Sequence, residues 1–218
     1  MSILTGFTEL DNITGGLRPG ELTVVAGRPC MGKSALCRSI AGNAVRSGNR
    51  AFIGIMRDGY IRTANLSGLG RFDYYCSPLE KAFKPVKPRT GKKFLVIFPD
   101  ALHTAGRKEA ADICSKLKAF AVAENIAVMV EAVADKNVER LENRRPMLEH
   151  IRYAAAVDKY ADNVLIVFRP AYYDASADAS LFEVNVIKSS TGRSGTVTLR
   201  FEISGIPGTA CVPKITER

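Results

Sequence analysis

The chain has 218 residues, 46% hydrophobic and 24% charged, with Gly 18 and Pro 10. This is ordinary globular usage and excludes collagen-like, wholly disordered and coiled-coil classes. Lys and Arg number 31 against 22 Asp and Glu, and the net charge of +9 favours polyanionic partners, nucleic acid among them.

The first predicted strand is the apolar run Leu22 to Ala26, which leads into a glycine-rich turn. Lys33 to Arg46 then reads as a helix, stopped by Ser47-Gly48-Asn49. Ala51 to Ile55 predicts the second strand. Gly59 to Lys93 shows little periodicity and closes with Lys84-Pro85-Val86-Lys87-Pro88-Arg89. A run of that kind predicts a mobile excursion, with a short helix near Pro78 to Phe83. Phe94 to Phe98 is the third predicted strand, Ala110 to Glu124 a helix and Ile126 to Val130 the fourth strand. Met147 to Tyr160 reads as a helix and Asn163 to Phe168 as the fifth strand. Doubly buried strands alternating with helices imply an α/β fold with a mostly parallel central sheet flanked by helices. Phe182 to Ile187 and Thr196 to Ile203 alternate instead, and the turn Ser189 to Gly195 joins them as a hairpin. Antiparallel C-terminal strands are therefore expected, within a single domain over residues 1–218.

The apolar runs fall far short of the ~20 residues of a membrane helix. No basic segment followed by an apolar stretch opens the chain, so a cytoplasmic protein without membrane contact is expected. The cysteines (Cys30, Cys37, Cys76, Cys114, Cys211) are scattered and lack C-x-x-C spacing. With only His103 and His150 beside them they build no zinc cluster, and reduced packing cysteines are expected.

Gly27-Arg28-Pro29-Cys30-Met31-Gly32-Lys33-Ser34 matches G-x-x-x-x-G-K-S between a predicted strand and a predicted helix that continues through Ala35. Such glycines let backbone N–H groups form an anion nest, and the helix start adds its dipole. Lys33 is expected at the terminal phosphates of a nucleoside triphosphate and the Ser34 hydroxyl on Mg²⁺. Asp100, just past the third strand, is a candidate for the metal-shell carboxylate, with a plain loop or helix-cap aspartate as the alternative. The lysines and arginine at 81, 84, 87, 89, 92 and 93, with Tyr74 and Tyr75, form either a nucleic-acid track or a solvated loop. Arg144, Arg145 and Arg152 suit subunit contacts or nucleic acid equally. Tyr172-Tyr173-Asp174 reads as a nucleotide-proximal or interface loop.

Four blocks carry a family resemblance. Thr5-Gly6-Phe7-x-x-Leu10-Asp11-x-x-Thr14-x-Gly16-Leu17-x-Pro19 opens the chain, and Arg28-Pro29-x-Met31-Gly32-Lys33-Ser34 follows. Next come Arg145-Pro146, Ile151-Arg152 and Ala161-Asp162, and finally Lys188-x-x-x-Gly192-x-x-Gly195-Thr196-Val197. Together these resemble the ATPase domain of DnaB-type replicative helicases, a RecA-like family. The resemblance covers most of the chain except Gly59 to Lys93. It implies a RecA-like P-loop fold, ATP with Mg²⁺, single-stranded DNA as ligand, and a homo-oligomer such as a hexameric ring with nucleotide between subunits. The family's N-terminal domain and linker helix are not expected, because the resemblance starts within a few residues of Met1.

The departures from the family pattern bear on turnover. Asp58 falls near the glutamate that polarises water in the family. The slot of the metal-side aspartate reads Ile97-Phe98-Pro99, with Asp100 two residues late. Val133 stands at the phosphate-sensing glutamine and Ser190 at the arginine finger, leaving Lys188 and Arg193 as cations for a neighbour's phosphates. Loss of an arginine finger alone lowers turnover by ~10³–10⁵. Two functions follow: an ATP-driven translocase with impaired hydrolysis, or a nucleotide-binding regulator that docks on a replicative helicase or on DNA. A RecA-like recombination or clock-type ATPase is a third, which the R-P-x-M-G-K form disfavours.

Overall fold

The computed structural model describes residues 1–57, 60–65, 75–78, 94–99, 102, 107–204 and 212–217. Its strands are β1 (Leu22–Gly27), β2 (Arg50–Arg57), β3 (Tyr60–Asn65), β4 (Tyr75–Pro78), β5 (Phe94–Phe98), β6 (Ala127–Val133), β7 (Asn163–Phe168), β8 (Leu181–Lys188), β9 (Gly195–Ser204) and β10 (Val212–Glu217). They form one sheet in the order β10-β9-β8-β7-β1-β6-β5-β2-β3-β4. The five central strands, β7, β1, β6, β5 and β2, run parallel, and antiparallel strands extend both edges.

The helices are α1 (Thr8–Thr14), α2 (Lys33–Arg46), α3 (Arg107–Glu124) and α4 (Ala154–Tyr160). Successive side chains of a strand point to opposite faces, and here both faces are covered. Val25, Ile97, Met129 and Leu165 pack on Leu36 and Ile40 of α2. Val24, Val96, Val128 and Ile166 pack on Leu117 of α3 and Val157 of α4. Continuous apolar runs are what a parallel strand buried on two sides requires, and this is why the α/β expectation holds.

Three expectations are corrected. The helix over Met147 to Tyr160 is broken: a 3-10 turn spans Leu148–His150, Ile151 bridges Ala134, and α4 starts at Ala154. The extension of β6 captures this backbone, since Arg152 N–H donates to Val133 O at 2.8 Å and Asp135 N–H to His150 O at 2.7 Å. Tyr153 then turns through a left-handed conformation, φ 66°. Second, Gly59 to Lys93 contains β3 and β4, because β2 continues into an antiparallel partner, with Gly54 opposite Thr63. Pro78 closes β4, and the rest of the helix proposed there lies outside the described residues, as do Tyr74 and the basic run from 81 to 93. Third, Cys37 and Cys114 are buried packing residues as expected, but Cys30 is exposed.

Among the described residues no helix is long and apolar enough to cross a membrane, and no cluster of metal-ligating side chains is found.

Candidate functional site

The turn from β1 into α2 is the centre of the site. Strand β1 lies between β6 and β7, so its C-terminal end is flanked by Val133, the register partner of Gly27, and by the end of β7. Two glycines are demanded by space. A Cβ on Gly32 would lie 2.7 Å from Phe182 Cε2, and its φ of +92° is in the left-handed region. A Cβ on Gly27 would lie 2.8 Å from Val167 Cγ2. Cys30 also takes a positive φ, 62°. Met31 and Ala35 are buried in the core beneath and anchor the loop, while Pro29 and Cys30 face outward. The α2 ladder starts at Gly32, whose carbonyl accepts from Leu36 N–H at 2.9 Å.

The polar side chains converge here. Lys33 Nζ donates to Gly27 O at 3.2 Å and Arg28 O at 3.1 Å, so its ammonium is held within the turn. Burial pulls the Lys33 pKa below the ordinary 10.5, with the Glu131 carboxylate opposing. Ser34 is exposed, and its hydroxyl donates to Glu131 Oε2 at 2.8 Å. Glu131 itself is only 6% exposed, on β6. Arg28 is held by Glu139, with Nε and Nη2 at 3.0 and 2.6 Å from Oε1, and its Nη1 donates to Ala134 O at 3.1 Å. Tyr173 lies in the electrostatic surroundings of Arg28 and Glu139, and burial raises its phenol pKa. This agrees with a loop near the phosphate turn.

Other sequence candidates are placed elsewhere. Asp58 and Asp100 lie outside the described residues. Phe98 is fully buried, and its ring fills the space over Gly54, where a Cβ would come within 2.3 Å of Phe98 Cε1. Lys188 and Arg193 belong to the opposite end of the sheet. Lys188 pairs in register with Val164, at the start of β7, and its Nζ donates to Asp158 O at 2.5 Å. Arg193 Nη1 donates to Asn12 O at 2.9 Å. Ser190 is exposed in the same turn, and its N–H donates to Asn163 Oδ1 at 3.0 Å. Arg145 forms an ion pair with Glu183 and covers the Phe168 ring at 4.3 Å, while Arg144 lies 5.0 Å over Tyr173.

Glu131 was missed by the sequence reading, which ended the fourth strand at Val130. The available signal was a single carboxylate near the C-terminal end of an otherwise apolar strand, where open α/β sheets place ligand-facing groups.

Comparisons with known proteins agree with this geometry. The family profile described as DnaB-like helicase C terminal domain matches residues 2–57 and 95–205. Replicative DNA helicase DnaB of Geobacillus stearothermophilus is 27% identical over 246 aligned residues, covering 91% of this chain and 54% of the relative. Replicative DNA helicase DnaC of Bacillus subtilis (strain 168) is 25% identical, with the same coverage of 91% and 54%. The chain thus spans about half the length of these curated relatives. Among solved structures, an isolated ATPase domain superposes with a TM-score of 0.75 at 20% identity, covering 92% of this chain and 88% of that one. A DnaB-like replicative helicase, studied with its interactions with primase, superposes with a TM-score of 0.75 at 20% identity, covering 93% and 60%. These likenesses establish the RecA-like fold. Matched by its profile over more than half of its residues, the chain belongs to the DnaB-like helicase C terminal domain family.

Proposed function

We propose that this chain binds ATP with Mg²⁺ at Gly27 to Ala35 and works in DNA replication as an ATP-driven motor on single-stranded DNA. The observation that carries the reading is the glycine-shaped turn at the start of α2, with the Lys33 ammonium held inside it. Backbone amides and a helix start in that arrangement favour a polyphosphate, and the lysine adds a point charge at its end. Ser34, an exposed residue in the first turn of α2, carries a hydroxyl oxygen, the donor type that suits a hard cation. Magnesium, when bound, neutralises charge on the phosphates.

Lys188 and Arg193 lie at the far end of the sheet from their own loop, so they reach a nucleotide only across a subunit boundary. This supports a homo-oligomer, such as a hexameric ring, with ATP between protomers.

Three positions favour a second reading, a nucleotide-binding regulator that docks on a replicative helicase or on DNA with little hydrolysis. Phe98 is locked against Gly54, Val133 flanks Gly27 with an apolar side chain, and Ser190 replaces a cation. ATP affinity and turnover measured together, with and without single-stranded DNA, separate the two. DNA-stimulated turnover supports the motor. Clear binding with no turnover supports the regulator, and absence of binding defeats both.

A further inference from the structure

We propose that Glu131 is the carboxylate of the magnesium side of this phosphate loop, acting through Ser34. The inference rests on the ATP-binding reading and deepens it. Glu131 is the one charged residue in β6, whose sequence is AVMVEAV, and it is 6% exposed. A carboxylate is disfavoured inside an apolar strand unless its charge has a partner that stabilises it.

The register explains why this strand carries it. Phe98, the last residue of β5, pairs with Val130, so Glu131 is the next residue along β6, beyond the end of β5. It pairs across β1 with Val25 and shares that residue's face, the one that α2 covers. Its Oε2 accepts the Ser34 hydroxyl proton at 2.8 Å. With that proton directed inward, the lone pairs of the Ser34 oxygen are left for a cation on the solvent side of this exposed residue. A P-loop hydroxyl and a neighbouring-strand carboxylate hold the magnesium of such sites together. Here the β5 position is taken by the buried Phe98 ring, and the carboxylate stands on the adjacent strand. Glu131 is thus a positioning residue: it orients Ser34 and supplies negative charge behind it.

The test uses a fluorescent ATP analogue on the full chain, titrated with Mg²⁺ and, separately, in EDTA. Glu131→Gln keeps the shape and removes the charge. It should retain the EDTA affinity while lowering Mg²⁺ affinity in the ternary complex by about 10–100-fold, the effect typical of groups that orient a metal's ligands. Glu131→Asp, which keeps the charge on a shorter stem, should recover part of the loss. Unchanged Mg²⁺ affinity in Glu131→Gln overturns the proposal, as does an equal loss with and without Mg²⁺, the mark of a merely structural role. Loss of magnesium dependence in Asp100→Asn but not in Glu131→Gln also overturns it.

A measurement without substitution covers the case in which the variants do not fold. Mn²⁺ added with ATP should broaden the Glu131 side-chain carboxyl ¹³C resonance beyond detection, and its survival overturns the assignment. Failure of the unaltered protein to bind the analogue at all defeats the ATP-binding reading, an outcome distinct from these.

Discussion

The phosphate loop and the β8–β9 turn occupy opposite ends of one sheet and differ in how closely they follow the pattern that the family resemblance implies. At the loop end the eight residues from Gly27 to Ser34 match the G-x-x-x-x-G-K-S pattern, and their geometry is enforced by the core through Phe182 and Val167. At the turn end the fold is equally well held: Asn163 accepts from Ser190 N–H and donates to Glu21 and Thr23. Yet the side chain presented there is serine, where the family resemblance implies arginine. Main-chain chemistry persists while the packing that shapes it persists. The exposed Ser190 side chain has no such support from the core, so it can be exchanged without disturbing the fold.

Four substitutions or conditions break or sharpen this contrast. The largest effect belongs to Lys33→Ala, which removes the charge at the centre of the loop. It should weaken ATP binding by about 100-fold, as expected for losing charge-assisted hydrogen bonds, and calorimetry reads it directly. Ser190→Arg addresses the other end. The residue is exposed and bonds Asn163 through its backbone, so the turn accommodates the change. DNA-stimulated turnover should rise roughly tenfold, a fraction of what an arginine finger supplies. An unchanged rate would mean that this turn reaches no nucleotide in the assembly.

Asn163→Ala sharpens the comparison by loosening the turn alone. It removes the bonds that a fully buried Asn163 makes to Glu21, to the buried Thr23 and to Ser190 N–H, and should lower the melting temperature by roughly 5 °C with ATP affinity unaltered. The smallest effect concerns pH. Burial depresses the Lys33 pKa from 10.5, and bound phosphates would raise it again. Binding is then linked to proton uptake at pH above the depressed value, and affinity should fall as pH rises through that value toward the raised value of the bound state. Titrations in buffers of different ionisation enthalpy would show the uptake, and Lys33→Ala should abolish it.

Much of the architecture was legible because its signals are local. Leu22 to Ala26 and Asn163 to Phe168 are apolar runs of strand length, and the structure places strands there within a residue. The hairpin of β8 and β9 was equally readable from alternation around a polar turn. Met147 to Tyr160 misled because its composition suits a helix, whereas backbone pairing with the end of β6 takes residues 150–152 out of it. Strands β3 and β4 were unread because their sequences lack the continuous apolar run that marked the central strands.

From the amino-acid order alone came the phosphate turn, since its glycines, lysine and serine are consecutive and their conformational demands are met within a few bonds. Tertiary structure alone decided what surrounds it. Ser34 and Glu131 are 97 positions apart, and only the parallel register of β1 with β6 brings them to hydrogen-bonding distance. The same register sets Val133 beside Gly27, and the pairing of β8 with β7 sends Lys188 to the far end of the sheet. A carboxylate in a string of apolar residues has no readable role until the strand's neighbours are known, because the stability of a buried charge depends on what lies across from it.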